Sequence, residues 1–247
     1  MKYAIEVSGL AKRYGARSVF NGFDLLVERG ETLAVLGASG CGKSTLLRCI
    51  AGLVKPDDGA ISAHDEIGFV FQEPRLMPWL TVERNVAFAA RSDVERSRVK
   101  EVLDLVGLLP AAHLLPKELS GGMAQRAALA RTLVRNPKIL LLDEPLSALD
   151  ALLRLELQSS LAAILRETDS TAVLVTHDVE EALYLADRII VLDGTPARRS
   201  LELVVPAPRR RSHTADLTDE RAALLDALGV EGRAPKRAHR GLRIVAP

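Results

Sequence analysis

The sequence predicts an α/β fold with a central parallel sheet, an N-terminal antiparallel β subdomain and a helical insertion. Three observations predict it. Short, chiefly apolar runs at residues 32–36, 67–71, 139–142, 172–175 and 188–192 suit strands covered on both faces. Between them, apolar residues recur at helical spacing: Leu46, Leu47 and Ile50; Val99, Val102, Leu103 and Val106; Leu152, Leu155, Leu161 and Leu165. Residues 5–7 and 23–27 instead alternate apolar and polar side chains and are joined through Gly15 and Asn21-Gly22, the signature of antiparallel strands with one face in water. Residues 88–120 read as purely helical, punctuated by Pro110 and Pro116, so a helical insertion at about 82–135 interrupts the sheet.

Composition narrows the class. The chain has 247 residues, 48% apolar and 26% charged, which allows a sizeable core without disulfide help. The two cysteines, Cys41 and Cys49, lie in one segment and indicate no disulfide framework. No apolar run reaches the ~18 residues of a membrane span, and the start carries no apolar targeting segment, so a cytoplasmic location is expected. Net charge is +1, which does not point to nucleic acid as a partner. The charge is uneven: residues 196–247 hold 11 Lys/Arg against 6 Asp/Glu. Residues 205–212, with two prolines and three consecutive arginines, read as a solvated linker ahead of a short helix and a basic tail.

Gly37-Ala38-Ser39-Gly40-Cys41-Gly42-Lys43-Ser44 fits G-x-x-x-x-G-K-[ST] and sits between an expected strand and an expected helix, the context that makes it a P-loop. The order is chemical. Small residues let backbone N–H groups close around phosphates, and the helix directs its positive end at them. Lys43 supplies a cation to the β and γ phosphates, Ser44 a hydroxyl to Mg²⁺, and Thr45 caps the helix or bonds the α phosphate. The core is therefore that of a P-loop NTPase. Residues 139–144 form an apolar strand ending in Asp143 and Glu144, which parallel pairing would deliver to the same sheet edge. Asp143 would hold Mg²⁺ and Glu144 would polarise the attacking water.

Leu119-Ser120-Gly121-Gly122 opens a helical run at residues 123–134. It is a second Gly-rich helix start, readable as an ordinary capped helix or as a second anion-binding end. The P-loop, Gln72, Ser120-Gly121-Gly122, the run from Leu140 to Pro145, Ser147-Ala148-Leu149-Asp150 and Thr176-His177-Asp178 follow in order. That series resembles the nucleotide-binding subunit of ABC transporters over about residues 1–195.

The resemblance implies ATP and Mg²⁺ as cofactors. It implies phosphate binding by residues Gly37 to Thr45, metal contacts from Ser44, Gln72 and Asp143, and catalysis by Glu144, with Gln72 and His177 sensing the γ phosphate and the water. Tyr14 would stack on adenine; its alternative is a half-buried ring at a strand edge. Ser120, Gly121 and Gly122 would serve the ATP held by a second copy of the chain in a head-to-tail dimer. Met123-Ala124 departs from the family's usual polar pair. The other implied partners are integral membrane permease subunits and, indirectly, a solute-binding protein, with the chain peripheral at the cytoplasmic face of the membrane. On this reading residues 1–205 form the ATPase domain and 206–247 the linker, short helix and basic tail.

Residues 71–82, containing the single tryptophan Trp79 between Pro74, Pro78 and the helical insertion, are similar in wording to the nitrate, taurine and aliphatic-sulfonate branch of bacterial importers, and residues 193–212 are most similar to its aliphatic-sulfonate type, with nitrate or taurine as the alternative solutes. The Trp79 ring either packs between helices or stands at a permease surface. Two other classes compete with the importer: a soluble ABC ATPase of DNA repair or translation, which usually carries two cassettes or a long coiled coil, and a P-loop kinase, which leaves Ser120-Gly121-Gly122 and His177 unexplained.

Overall fold

The computed structural model describes residues 2–147, 149–206 and 217–230; residues 207–212 of the linker expected at 205–212, and the basic tail beyond Val230, lie outside the described residues. In chain order the elements are β1 (Tyr3–Tyr14), β2 (Arg17–Glu28), β3 (Thr32–Gly37), α1 (Lys43–Ile50), β4 (Asp58–Ala63), β5 (Ile67–Val70), α2 (Val82–Ala89), α3 (Asp93–Ser97), α4 (Val99–Leu105), α5 (Gly121–Leu133), β6 (Ile139–Asp143), α6 (Ala151–Thr168), β7 (Thr171–Val175), α7 (Val179–Leu185), β8 (Arg188–Asp193), β9 (Arg198–Val204) and α8 (Thr218–Ala227). Two 3₁₀ turns, Leu109–Ala111 and Pro116–Glu118, follow α4. The described residues up to His64 together with those from Thr171 onward make one compact unit, and Asp65 to Ser170 make another.

In the first unit, β1 and β2 pair antiparallel with Ile5 opposite Val27 and Val7 opposite Leu25, and β4 lies on the other side of β1. Their inward residues Ile5, Leu10, Phe20 and Leu25 are fully buried, as the alternating pattern requires. The strands are far longer than the three- and five-residue runs expected from sequence. Asn21-Gly22 does not turn the chain: Leu10 pairs with Phe23 and Lys12 with Phe20, so the dipeptide is a bulge inside β2, with Gly22 at φ 75°. β3 is flanked by β7 and β8, both parallel to it, and β9 closes the edge antiparallel to β8. β3 and β7 are buried at every position. α7 and α8 pack on this sheet through Ala182, Leu183, Leu224 and Leu203, and the Arg221 guanidinium pairs with Glu180 across the two helices.

A charged cluster ties β2, β8 and β9 together. Arg188 donates to Glu31 at 2.6 Å, to Glu202 at 2.7 Å and to the Leu26 carbonyl at 2.6 Å; Arg199 pairs with Glu202 and donates to the Asp24 carbonyl at 2.8 Å. Burial pushes the Glu202 carboxyl up, but the Arg188 hydrogen bond and the charges of both arginines together hold it below the usual carboxylate range.

In the second unit, β5 and β6 pair in parallel, Ile67 with Ile139 through Val70 with Leu142. α5 lies against β5, and α2 and α4 pack on α5. Gly68 permits the close approach of α5: a Cβ there would stand 2.6 Å from Thr132 Cγ2 and 2.7 Å from Pro137 Cγ. One expectation about exposure fails here, and one of two alternatives falls. Leu152 and Leu155 on α6 face water, the buried stripe being Leu157, Leu161, Ile164 and Leu165, because the helical period carries the first two off the packed face. Trp79 is 73% exposed, which removes the reading of a ring packed between helices. Among the described residues no helix is long and apolar enough to cross a membrane.

Candidate nucleotide site

The loop after β3 is shaped by two glycines. A Cβ on Gly37 (φ 150°) would stand 2.5 Å from the Leu192 carbonyl oxygen, and one on Gly42 (φ 121°) would meet Val19 Cγ1 at 2.6 Å and the Phe20 ring at 3.1 Å. Only glycine allows the chain to turn there against β2 and β8. Ala38, Ser39 and Gly40 stay exposed, whereas Cys41 and Lys43 are buried. Lys43 Nζ donates to the carbonyls of Gly37 at 2.6 Å and Ala38 at 3.0 Å, so the ammonium is folded into the loop. Arg17 Nη2 donates to the Gly40 carbonyl at 2.6 Å and steadies the loop from β2. Ser44 and Thr45 are half-buried in the first turn of α1. That turn has no side-chain cap on its N–H groups and no acidic residue, so its positive end is suited to an anion.

Two further residues of this unit were singled out by sequence. Tyr14 ends β1 at 49% exposure, with Lys12 Nζ 5.4 Å from its ring centre. His177 is exposed between two pinned neighbours. Thr176 Oγ1 donates to Glu181 Oε2 at 2.5 Å, and Asp178 caps α7 by accepting from the N–H groups of Glu180 and Glu181 at 2.9 and 3.2 Å.

In the second unit, the register of β5 on β6 pairs Val70 with Leu142, so the residues two further on, Gln72 and Glu144, emerge side by side. Gln72 Nε2 donates to Glu144 Oε2 at 3.2 Å. Asp143, the last residue of β6, is only 2% exposed. Glu144 takes φ 47°, a left-handed conformation that costs a non-glycine residue about 1–3 kcal/mol. Its carbonyl is caught by Ser147, from the backbone N–H at 3.3 Å and Oγ at 3.0 Å, which fixes the carboxylate-bearing turn.

α5 begins at Gly121, two residues earlier than expected, with Ser120 Oγ accepting from the Met123 N–H at 3.3 Å. Gly121 is exposed; Gly122 is buried, and a Cβ on it would meet Leu153 Cδ2 at 2.6 Å and Leu149 Cδ2 at 2.7 Å. Sequence reasoning missed Arg17 and Asn85. Asn85 is 1% exposed; its Oδ1 accepts from the Met77 N–H at 2.8 Å and its Nδ2 lies 2.9–3.2 Å from the carbonyls of Met77, Leu80 and Thr81. The one available signal was an amide three residues after Val82 on an otherwise apolar helix face.

A strand, a glycine-shaped loop and a helix with an open positive end define a P-loop nucleoside-triphosphatase core. The family model described as "ABC transporter" matches residues 20–147. The chain is 48% identical to the aliphatic sulfonates import ATP-binding protein SsuB 1 of Xanthomonas axonopodis pv. citri, covering 88% of this chain and 93% of that protein. It is 45% identical to the protein of the same name from Pseudomonas fluorescens, covering 95% and 90%. Among solved structures, a dimeric ATP-binding cassette in a post-hydrolysis state bound to ADP and Pi superposes with a TM-score of 0.74 at 32% identity, covering 82% of this chain and 99% of that one. The chain belongs to the ABC transporter family and is an ATPase of the kind that drives transport.

Proposed function

We propose that this ATPase energises import of a small organic anion, an aliphatic sulfonate, through a permease made of separate chains. The observation that carries the reading is the 43–48% identity to several aliphatic sulfonates import ATP-binding proteins, which in one case extends over 99% of this chain. Residues 1–205 would be the ATPase domain, and 206–247 a linker, short helix and basic tail. The working unit is a head-to-tail dimer at the cytoplasmic face of the membrane, joined to the permease and supplied by a solute-binding protein.

Within it, the residues from Gly37 to Thr45 hold the triphosphate and Tyr14 stacks on adenine, while Ser120, Gly121 and Gly122 grip the ATP of the second copy. The Ser44 hydroxyl, the Gln72 amide oxygen and the Asp143 carboxylate are hard oxygen donors of the type Mg²⁺ prefers. Bound there, Mg²⁺ would neutralise phosphate charge. Glu144 takes the proton of the attacking water, Gln72 orients that water, Lys43 steadies the developing charge on the γ phosphate, and His177 contacts it.

The test is genetic and biochemical. Loss of this chain should abolish growth on an alkanesulfonate as sole sulfur source, and the purified complex should show ATPase stimulated by alkanesulfonate with its binding protein. Stimulation by taurine or nitrate and none by alkanesulfonate would reassign the solute and leave the ATPase reading intact.

A further inference from the structure

We infer that Arg131 and Gln125 are positioning residues that lock the Gln72 segment to α5, so that Gln72 and the Ser120-Gly121-Gly122 end of the same helix move as one piece. The inference rests on the proposed role of Gln72. One face of α5 carries Gln125, Arg131 and Thr132, and all three hold main-chain carbonyls of the stretch that begins in β5. Gln125 Nε2 donates to the Phe71 carbonyl at 3.2 Å, and Thr132 Oγ1 to the Phe69 carbonyl at 3.3 Å. Arg131 forks, with Nη1 on the Arg75 carbonyl at 2.6 Å and Nη2 on the Pro74 carbonyl at 2.9 Å.

The segment is held at a cost. Arg75 sits at φ 48°, and its guanidinium lies 4.2 Å from the centre of the Phe71 ring. A non-glycine residue stays in that conformation only when its surroundings over-determine it. The Arg131 fork is such a constraint, because a planar guanidinium holds two successive carbonyls with two N–H groups fixed in one plane, whereas an ammonium would meet them from a single point on a flexible stem. Beneath it, α5 lies so close to β5 at Gly68 that a Cβ there would stand 2.6 Å from Thr132 Cγ2. Gln72 is thus clamped on both sides, at Phe71 by Gln125 and at Pro74 and Arg75 by Arg131. Since α5 starts at Gly121, a displacement of Gln72 at one nucleotide carries to the helix end proposed to grip the other. Gln125 and Arg131 then couple the two halves of the dimer's cycle without touching ATP.

The experiment is a double-mutant cycle in the full chain, Arg131→Lys against Gln72→Ala, reading steady-state ATPase. Arg131→Lys should lower kcat by roughly 2- to 30-fold, leave KM for ATP nearly unchanged and flatten the cooperativity of ATP dependence. Combined with Gln72→Ala it should add nothing to the loss that Gln72→Ala causes alone. Gln125→Leu should behave in the same way, and guanidinium ion added to Arg131→Ala below denaturing concentration should restore part of kcat. Effects that multiply in the double mutant, or a wild-type kcat in Arg131→Lys beside a slowed Gln72→Ala, would overturn the clamp and spare the role of Gln72. Wild-type turnover in Gln72→Ala would overturn both. Should Arg131→Lys fold poorly, hydrogen exchange at residues 72–76 in Gln125→Leu decides: unchanged protection would refute the clamp.

Discussion

Truncating Trp79 separates a surface role from a structural one. The ring is 73% exposed, so about a quarter of a side chain of ~200 Å² is covered on folding, and ~50 Å² at ~25 cal/mol per Å² is about 1 kcal/mol. A buried tryptophan would cost about 3–5 kcal/mol instead. The loop beneath the ring does not depend on it, because Asn85 holds the backbone at Met77, Leu80 and Thr81. Trp79→Ala should therefore lower the melting temperature by only a few degrees and leave ATP affinity of the isolated chain unchanged. If the ring is an anchor for the permease, solute uptake and permease-stimulated ATPase should fall together, as they do when an interfacial aromatic is removed. Thermal unfolding, nucleotide titration and uptake by the reconstituted transporter measure the three quantities. A loss of stability above about 3 kcal/mol that accounts for the lost uptake would refute the surface role, and so would undiminished uptake by a stable variant.

Three further outcomes are expected. Lys43→Ala should abolish ATP binding and also cost about 1–3 kcal/mol of stability, since Nζ holds the carbonyls of Gly37 and Ala38; unchanged affinity in a folded variant would count against the phosphate cradle. Glu144→Gln should bind ATP, lose turnover and run as a dimer on sizing with ATP, because the amide cannot accept a proton from water; wild-type turnover would sink the assignment. Glu202 has its folded pKa depressed, so its contribution is present above the unfolded carboxylate value and is lost as pH falls through the lower, folded one. Glu202→Gln should accordingly lower the melting temperature at neutral pH and flatten its decline in acid; an unaltered acid limb would show that the Arg188 and Arg199 pairs do not govern it.

Much of the architecture was legible in order along the chain. The apolar runs of β3, β6 and β7 are buried on both faces and read directly as parallel strands, and the glycine-lysine-serine spacing marked the phosphate loop, because local sterics and backbone N–H geometry dictate those residues at those distances. Membership of the ABC transporter family followed from the order of six short motifs, more specific together than any one of them. What sequence left undecided depends on partners distant in the chain. β4, with its small and polar residues, carries no apolar signal and becomes a strand only by pairing with β1. Asn21-Gly22 looks like a hairpin turn and is a bulge, since register against β1 rather than local preference chose its conformation. Helical spacing counted Leu152 and Leu155 as core, but which side of α6 is covered depends on what packs there. The left-handed turn at Glu144, the hydrogen bond from Gln72 across 72 residues and the Arg131 fork onto Pro74 and Arg75 are likewise tertiary facts. Periodicity reports the environment a residue needs, and only the assembled sheets and helices supply the particular atoms that meet it.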